Sequence, residues 1–303
     1  MASFFDEIAR NRLKSLVLMA MFFALFTLVI AAVVWLFGGG PFALIAGVAI
    51  VLAYAVYTYF FGYRTALWLG GAKREADRKQ YPVLYSTVEG LALAAQIPVP
   101  KVYVVDDPNP NAFATGRNRK TSAVVVTSGL LSMMDKRELQ GVLSHELSHI
   151  YNGDIQFMTI AVVFAGVIGI IAVVMRSALL FGGIGGGRNQ KGEGGAVLLI
   201  LALVLGIVAP FVALLIRLAI SRKREYMADA NGARMIRDPA ALAGALKKLQ
   251  GYSASPRAQP VRNANEVTAS MYISNPFNAK GVGNLFSTHP PIEDRIRKLE
   301  QMY

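Results

Sequence analysis

The chain has 303 residues, of which 54% are hydrophobic and only 17% charged, and 31 Lys and Arg against 19 Asp and Glu give a formal charge of +12. A mean hydropathy of +0.43 excludes an ordinary soluble globular protein and points to a bilayer as part of the solvent. The positive charge is not a nucleic-acid footprint: the basic residues gather at the ends of apolar runs, where topology and anionic headgroups account for them, and no zinc finger, aromatic RNA-binding signature or recognition-helix pattern accompanies them.

In chain order, the first elements are two apolar runs, Leu16–Phe37 and Phe42–Tyr63, joined by Gly38-Gly39-Gly40-Pro41. Each is long enough to cross a hydrocarbon core, which needs about 20 apolar residues. The first run is too long for a cleaved signal and is followed at once by the second, so both are predicted to stay as a transmembrane hairpin over residues 1–63. Two further runs, Ile155–Met175 and Ala196–Ile216, predict a second hairpin over residues 155–220. Between them Gly182-Gly183-Ile184-Gly185-Gly186-Gly187 lacks the preceding strand of a phosphate-binding loop and reads as a flexible connector.

Lysines and arginines set the orientation. Arg10, Arg12 and Lys14 precede the first span, Arg64, Lys73, Arg74, Arg78 and Lys79 follow the second, and Arg217, Arg222, Lys223 and Arg224 follow the fourth. The third-to-fourth loop holds only Arg188 and Lys191 against Glu193. Both termini, and the stretches 64–154 and 221–303, are therefore expected on the cytoplasmic side. The absence of cysteine is compatible with a reducing compartment.

Within the first cytoplasmic stretch, Pro82 to Ala95 reads as a helix. Lys101–Val105 and Ser122–Thr127 are β-branched runs that read as strands, and Asn111–Gly116 forms another between them, turning at Gly116-Arg117-Asn118. That middle strand is either a plain hairpin partner or an edge to which an extended substrate adds by backbone hydrogen bonds. Asp135-Lys136-Arg137-Glu138 is a capping box, so a helix is predicted from about Lys136, with Asn152-Gly153 as its stop. Inside it lies His145-Glu146-Leu147-Ser148-His149, which uses two of the chain's three histidines. On a helix, positions four apart share a face, so both imidazoles can reach one Zn²⁺ while Glu146 serves as general base toward a water. The chemistry implied is peptide-bond hydrolysis.

A catalytic zinc keeps three protein ligands and an open position. The third ligand is either His289, the remaining histidine, or a carboxylate. Glu225, in Arg224-Glu225-Tyr226-Met227-Ala228-Asp229, is the carboxylate we select, with Asp229 four residues on and able to orient a ligand; an ion pair of Glu225 with Arg222 or Arg224 is the competing reading. The ligands lie in two stretches, so the metal would join 64–154 and 221–303 into one domain of about 170 residues, with zinc roughly 10 to 15 Å from the membrane surface. The motif helix is too polar in its first turns to sit in lipid, which argues against an intramembrane site. Downstream, Pro239–Leu249 reads as a helix capped by Asp238, and Gly251 to Gly283 as a long loop. His289, in Ser287-Thr288-His289-Pro290-Pro291, is either a surface turn histidine or a donor to the oxyanion of the reaction. An amphipathic helix follows it, marked by Ile292, Ile296 and Leu299.

Together, Asn111-Ala112-Phe113, His145-Glu146-Leu147-Ser148-His149, Arg224-Glu225-Tyr226-Met227-Ala228-Asp229 and Thr288-His289-Pro290-Pro291, with two spans on either side of the first motif, resemble the HtpX-type bacterial membrane zinc metalloproteases, relatives of the CAAX prenyl-protein proteases. The resemblance implies an α-helical membrane protein of four transmembrane helices carrying a cytoplasmic α+β zincin-like domain. It implies one Zn²⁺ on His145, His149 and Glu225, with Asp229 behind them, Glu146 and His289 as catalytic residues, and Asn111 and Phe113 on the substrate side. The activity implied is cleavage of misfolded or damaged membrane proteins at the cytoplasmic face of the bacterial inner membrane, under stress. The lipid bilayer and membrane-protein substrates are the expected partners, and nucleic acid is not. A processing protease for one substrate, including a lipid-modified one, is the second reading. A non-catalytic scaffold with structural zinc is the third, and an intact Glu146 speaks against it.

Overall fold

A computed structural model describes residues 40–161, 163–164, 222–255, 258–262, 271–273 and 290–302, together with 13, 16–17, 19–28, 31 and 34. The third span beyond residue 164, the fourth span, the Gly182–Gly187 connector, His289 and most of the predicted loop 251–283 lie outside the described residues.

The described elements are helices α1 (Met19–Leu28), α2 (Pro41–Leu69) and α3 (Pro82–Ala94), strands β1 (Lys101–Val105), β2 (Ala112–Asn118) and β3 (Thr121–Thr127), and helices α4 (Ser128–Met133), α5 (Lys136–Asn152), α6 (Arg222–Ile236), α7 (Pro239–Ala254) and α8 (Ile292–Glu300). Among the described residues α2 alone is long and apolar enough to cross a membrane. At 29 residues it is about 44 Å long, against about 30 Å of hydrocarbon. It runs six residues past the predicted end at Tyr63, and its apolar outer face leaves Phe42, Ile45, Ile50 and Trp68 exposed. Phe22 of α1, Val51 of α2 and Phe157, Ile160 and Phe164 of the helical residues after α5 form one buried cluster, with the Phe22 and Phe164 rings stacked at 3.7 Å. Three of the four predicted spans thus meet at the residues described.

The sheet has the order β1-β3-β2, with β1 parallel and β2 antiparallel to the central β3. Ala123-Val124-Val125-Val126 is apolar without alternation because both faces are covered. Ala112, Ala114, Val124 and Val126 face a core with Val142, Leu143, Leu147 and Ile150 of α5. On the other face Phe113, Ala123 and Val125 meet Ala66 and Leu67 from the last turns of α2. The end of the long apolar helix is therefore seated on the face of the sheet opposite α5. Gly70 makes room for this, since a Cβ there would lie 2.5 Å from Phe113 Cζ.

The hairpin turns later than predicted. Gly116 is in the strand at a register shift, with φ +157° and a virtual Cβ 2.6 Å from the Thr121 carbonyl oxygen. The turn is closed instead by Asn118, whose Oδ1 accepts from the backbone N–H of Lys120 at 2.9 Å and Thr121 at 3.0 Å. The glycine marks a bulge and the asparagine makes the turn.

Helix α5 begins as its sequence dictates. Asp135 Oδ1 accepts from Glu138 N at 2.8 Å and Glu138 Oε2 from Asp135 N at 2.9 Å. Two glycines let its neighbours approach. A Cβ on Gly141 would lie 2.6 Å from Leu242 N of α7, and one on Gly232 of α6 would lie 3.0 Å from His145 N. Gly141→Ala is expected to destabilise the protein by about 1–3 kcal/mol, because backbone rather than a flexible side chain must yield. Thermal melting in detergent checks this, with Gly251→Ala, where a Cβ meets nothing within 4 Å, as the control that melts no lower than the parent.

Candidate metal centre

Helix α5 presents His145 and His149 one turn apart, and close packing at Gly232 brings the first turns of α6 alongside. His145 Nε2 and His149 Nε2 are 3.2 Å apart, and Glu225 places Oε2 3.6 Å from the first and Oε1 3.6 Å from the second. One donor atom from each of the three residues falls within 4.8 Å of the others, and all three residues are buried. Tetrahedral zinc with bonds near 2.0–2.1 Å would space its ligands about 3.3 Å apart, so the donor set fits that ion in type and spacing.

Each imidazole turns Nε2 inward because a buried carboxylate holds its other nitrogen. Asp229 Oδ1 lies 2.8 Å from His145 Nδ1 and Asp154 Oδ2 lies 3.1 Å from His149 Nδ1. Such partners fix ring orientation and tautomer and raise ligand basicity. Asp229 is in turn gripped by Arg295, with Nη2 2.7 Å from Oδ1 and Nε 2.9 Å from Oδ2.

The charges follow from burial. Removal from water, with the Arg295 charge, takes His145 down to about 4, against the pull of Asp229. Burial also opposes charge on His149, but Asp154, Glu225 and Glu146 outweigh it and raise the group to about 9. For Asp229 burial again favours the neutral form, and the Arg295 charge and its hydrogen bonds prevail, lowering it to about 2. For Glu146 the His149 and Arg295 charges favour the ionised form, but they do not prevail. Burial and the Glu225 charge raise it to about 7 against these charges and the backbone N–H of Ala114, and its Oε1 has no hydrogen-bond partner among the described residues. An orphaned carboxylate oxygen buried beside three convergent donors is what a base awaiting a proton requires.

The fold thus brings together His145, Glu146, His149, Glu225 and Asp229. Asn111, at the mouth of β2, is buried, and its Oδ1 accepts from Ala112 N at 3.0 Å. The Phe113 side chain points to the opposite face of the sheet from α5, where its ring meets Tyr272 edge to face at 5.2 Å. His289 lies outside the described residues.

Two residues at the site were not singled out from the sequence. Arg295 is 1% exposed, and its signal was a charge inside the apolar stripe of α8, three residues after Ile292 and four before Leu299. Asp154 follows Gly153, whose left-handed φ of 74° ends α5 and swings the next helical residues back toward His149. A lone acid bordering an apolar run was its trace. Asp154→Asn is expected to weaken metal binding by about 10–100-fold, measured by competition against a chromophoric chelator; unchanged affinity would show that the contact does not orient His149.

A buried site of two imidazoles and a carboxylate, with a glutamate carboxylate beside it, defines a metal-dependent hydrolase. Residues 78–303 match the family model of Peptidase family M48, and the chain belongs to that family. Three curated relatives, each named Protease HtpX homolog, extend the likeness beyond the matched region. The protein of Dictyoglomus thermophilum is 43% identical over 300 residues, covering 99% of this chain and 95% of its own. That of Caldanaerobacter subterraneus subsp. tengcongensis is 45% identical over 287 residues, covering 93% of each chain. That of Streptococcus thermophilus is 43% identical over 304 residues, covering 98% of this chain and 99% of its own. The crystal structure of S. mikatae Ste24p is similar over 96% of this chain and 66% of that chain, at 17% identity and a TM-score of 0.48. The chain is a metalloprotease of the HtpX type, a hydrolase acting on peptide bonds and a membrane protein.

Proposed function

We propose that this protease uses one Zn²⁺, held by His145, His149 and Glu225, to cleave misfolded or damaged membrane proteins where they emerge at the cytoplasmic face of the bacterial inner membrane. The observation that carries the reading is the Glu146 Oε1, without a hydrogen-bond partner among the described residues and buried beside a donor set whose two imidazoles each rest on a carboxylate.

Bound zinc would supply Lewis acidity toward a water and the scissile carbonyl oxygen. Glu146 takes the water's proton at Oε1 and returns it to the leaving amine. Asp229 and Asp154 keep the imidazole Nε2 atoms aimed inward through the cycle. The outer edge of β2 receives the substrate as an added strand, because its Ala114 N–H reaches the Glu146 carboxylate and backbone pairing tolerates many sequences. Asn111 starts that edge, Phe113 supports it from the other face, and His289 is assigned to the oxyanion on its motif. Four spans with both termini cytoplasmic remain the topology favoured by the basic residues; the seating of the α2 end beneath the sheet supports an active site close to the bilayer.

Client range is tested by trapping. Full-length Glu146→Gln protein, cross-linked in bacterial membranes, is expected to retain many unrelated membrane proteins, more of them after heat stress. One dominant client would replace this reading with that of a dedicated processing protease.

A further inference from the structure

The outer edge of β2 is already bridged by another part of the chain. An antiparallel bridge joins Phe113 to Tyr272, and Ile273 N donates to the Ala112 carbonyl at 3.0 Å. Met271, Tyr272 and Ile273 are 4%, 2% and 1% exposed, so the segment is seated rather than draped. The Ile273 carbonyl then accepts from Arg295 Nη1 at 3.0 Å. That guanidinium is the one that holds Asp229 against His145.

A chain lying here has one backbone N–H on Ala112 and one backbone carbonyl on Arg295, two hydrogen bonds that read no side chain. It passes beside Ala114, whose N–H donates to Glu146. An extended substrate added to this edge needs the same two groups. The resident also fits imperfectly, since the buried Tyr272 hydroxyl finds no hydrogen-bond partner among the described residues, a defect that weakens its hold.

We propose that Met271–Ile273 is a resident segment lying in the substrate groove, that the Ala112 carbonyl and Arg295 are the groups that hold the substrate backbone there, and that substrate enters by displacing the segment. This rests on the reading of β2 as the substrate edge. The segment restrains the resting enzyme, and Arg295 serves as a positioning residue for the ligand His145 and as a grip for substrate.

Hydrogen exchange in the metal-loaded, full-length Glu146→Gln protein tests this without altering the segment. Saturating unfolded casein is expected to speed exchange of the Tyr272 and Ile273 amides about fivefold or more, the worth of one net backbone hydrogen bond, while the β1 and β3 amides hold. Unchanged or slower exchange with casein bound would overturn the proposal and make the segment a fixed fourth strand. Independently, Ile273→Pro removes the N–H given to Ala112 and is expected to lower KM for casein by about fivefold with kcat little changed. A folded Ile273→Pro protein whose KM is unchanged or higher would overturn it as well. Failure of the underlying reading looks different: wild-type protein would then neither cleave nor bind casein, and both proposals would fall together.

Discussion

Glu146→Gln is expected to lower kcat for casein by about a thousandfold or more while the bound metal content stays that of the parent. The substitution keeps volume and shape in a position 1% exposed, so local packing is preserved. What is lost is the carboxylate's ability to accept a proton. Burial and the Glu225 charge raise that carboxyl to about 7, toward the range a proton-transferring group needs near neutral pH. Metal analysis and casein cleavage on the same preparation separate the two roles. Equal cleavage by the variant would remove Glu146 from the mechanism, and loss of metal with loss of activity would make it a ligand rather than a base.

Arg295→Leu should destabilise the protein by about 3–5 kcal/mol, because it leaves the Asp229 carboxylate buried without its main counter-charge. Both side chains are almost inaccessible, 1% for Arg295 and 3% for Asp229, so water cannot replace the lost guanidinium. The double variant Arg295→Leu with Asp229→Leu is expected to cost less than the sum of the single changes, the sign of a pair that matters chiefly when broken. Arg297, two residues along the same helix, pairs with Asp294 at the surface, and Arg297→Leu should shift stability by no more than about 0.5 kcal/mol. The pair's contribution also has a pH signature. Asp229 is depressed from 3.8 to about 2, so its share of stability is complete above about pH 4 and lost only as pH falls toward the lower value. Melting curves in detergent across that range check both points; an Arg295→Leu protein that melts with the parent would show that the buried pair adds no stability.

Much of the site could be read along the chain because helices report locally. The capping box at Asp135 and Glu138, the four-residue spacing of His145 and His149, and that of Glu225 and Asp229 depend only on residues within a turn of each other. The outer strand β1 and the central strand β3 were legible from their β-branched runs, whereas the hairpin turn was misplaced because a glycine signals both turns and bulges. The long apolar runs fixed the class of solvent in the same local way.

Tertiary structure alone decided what meets what. Nothing near Arg295 in the sequence says that it will cross to α6 and hold Asp229, and nothing near Asp154 says that a left-handed turn at Gly153 will fold it back onto His149. Composition could not choose between a bare edge of β2 and one already paired with Tyr272. Spacing within a helix follows from 1.5 Å of rise per residue. Contacts between distant segments follow from which apolar faces bury each other, and that is settled only by the whole packed chain.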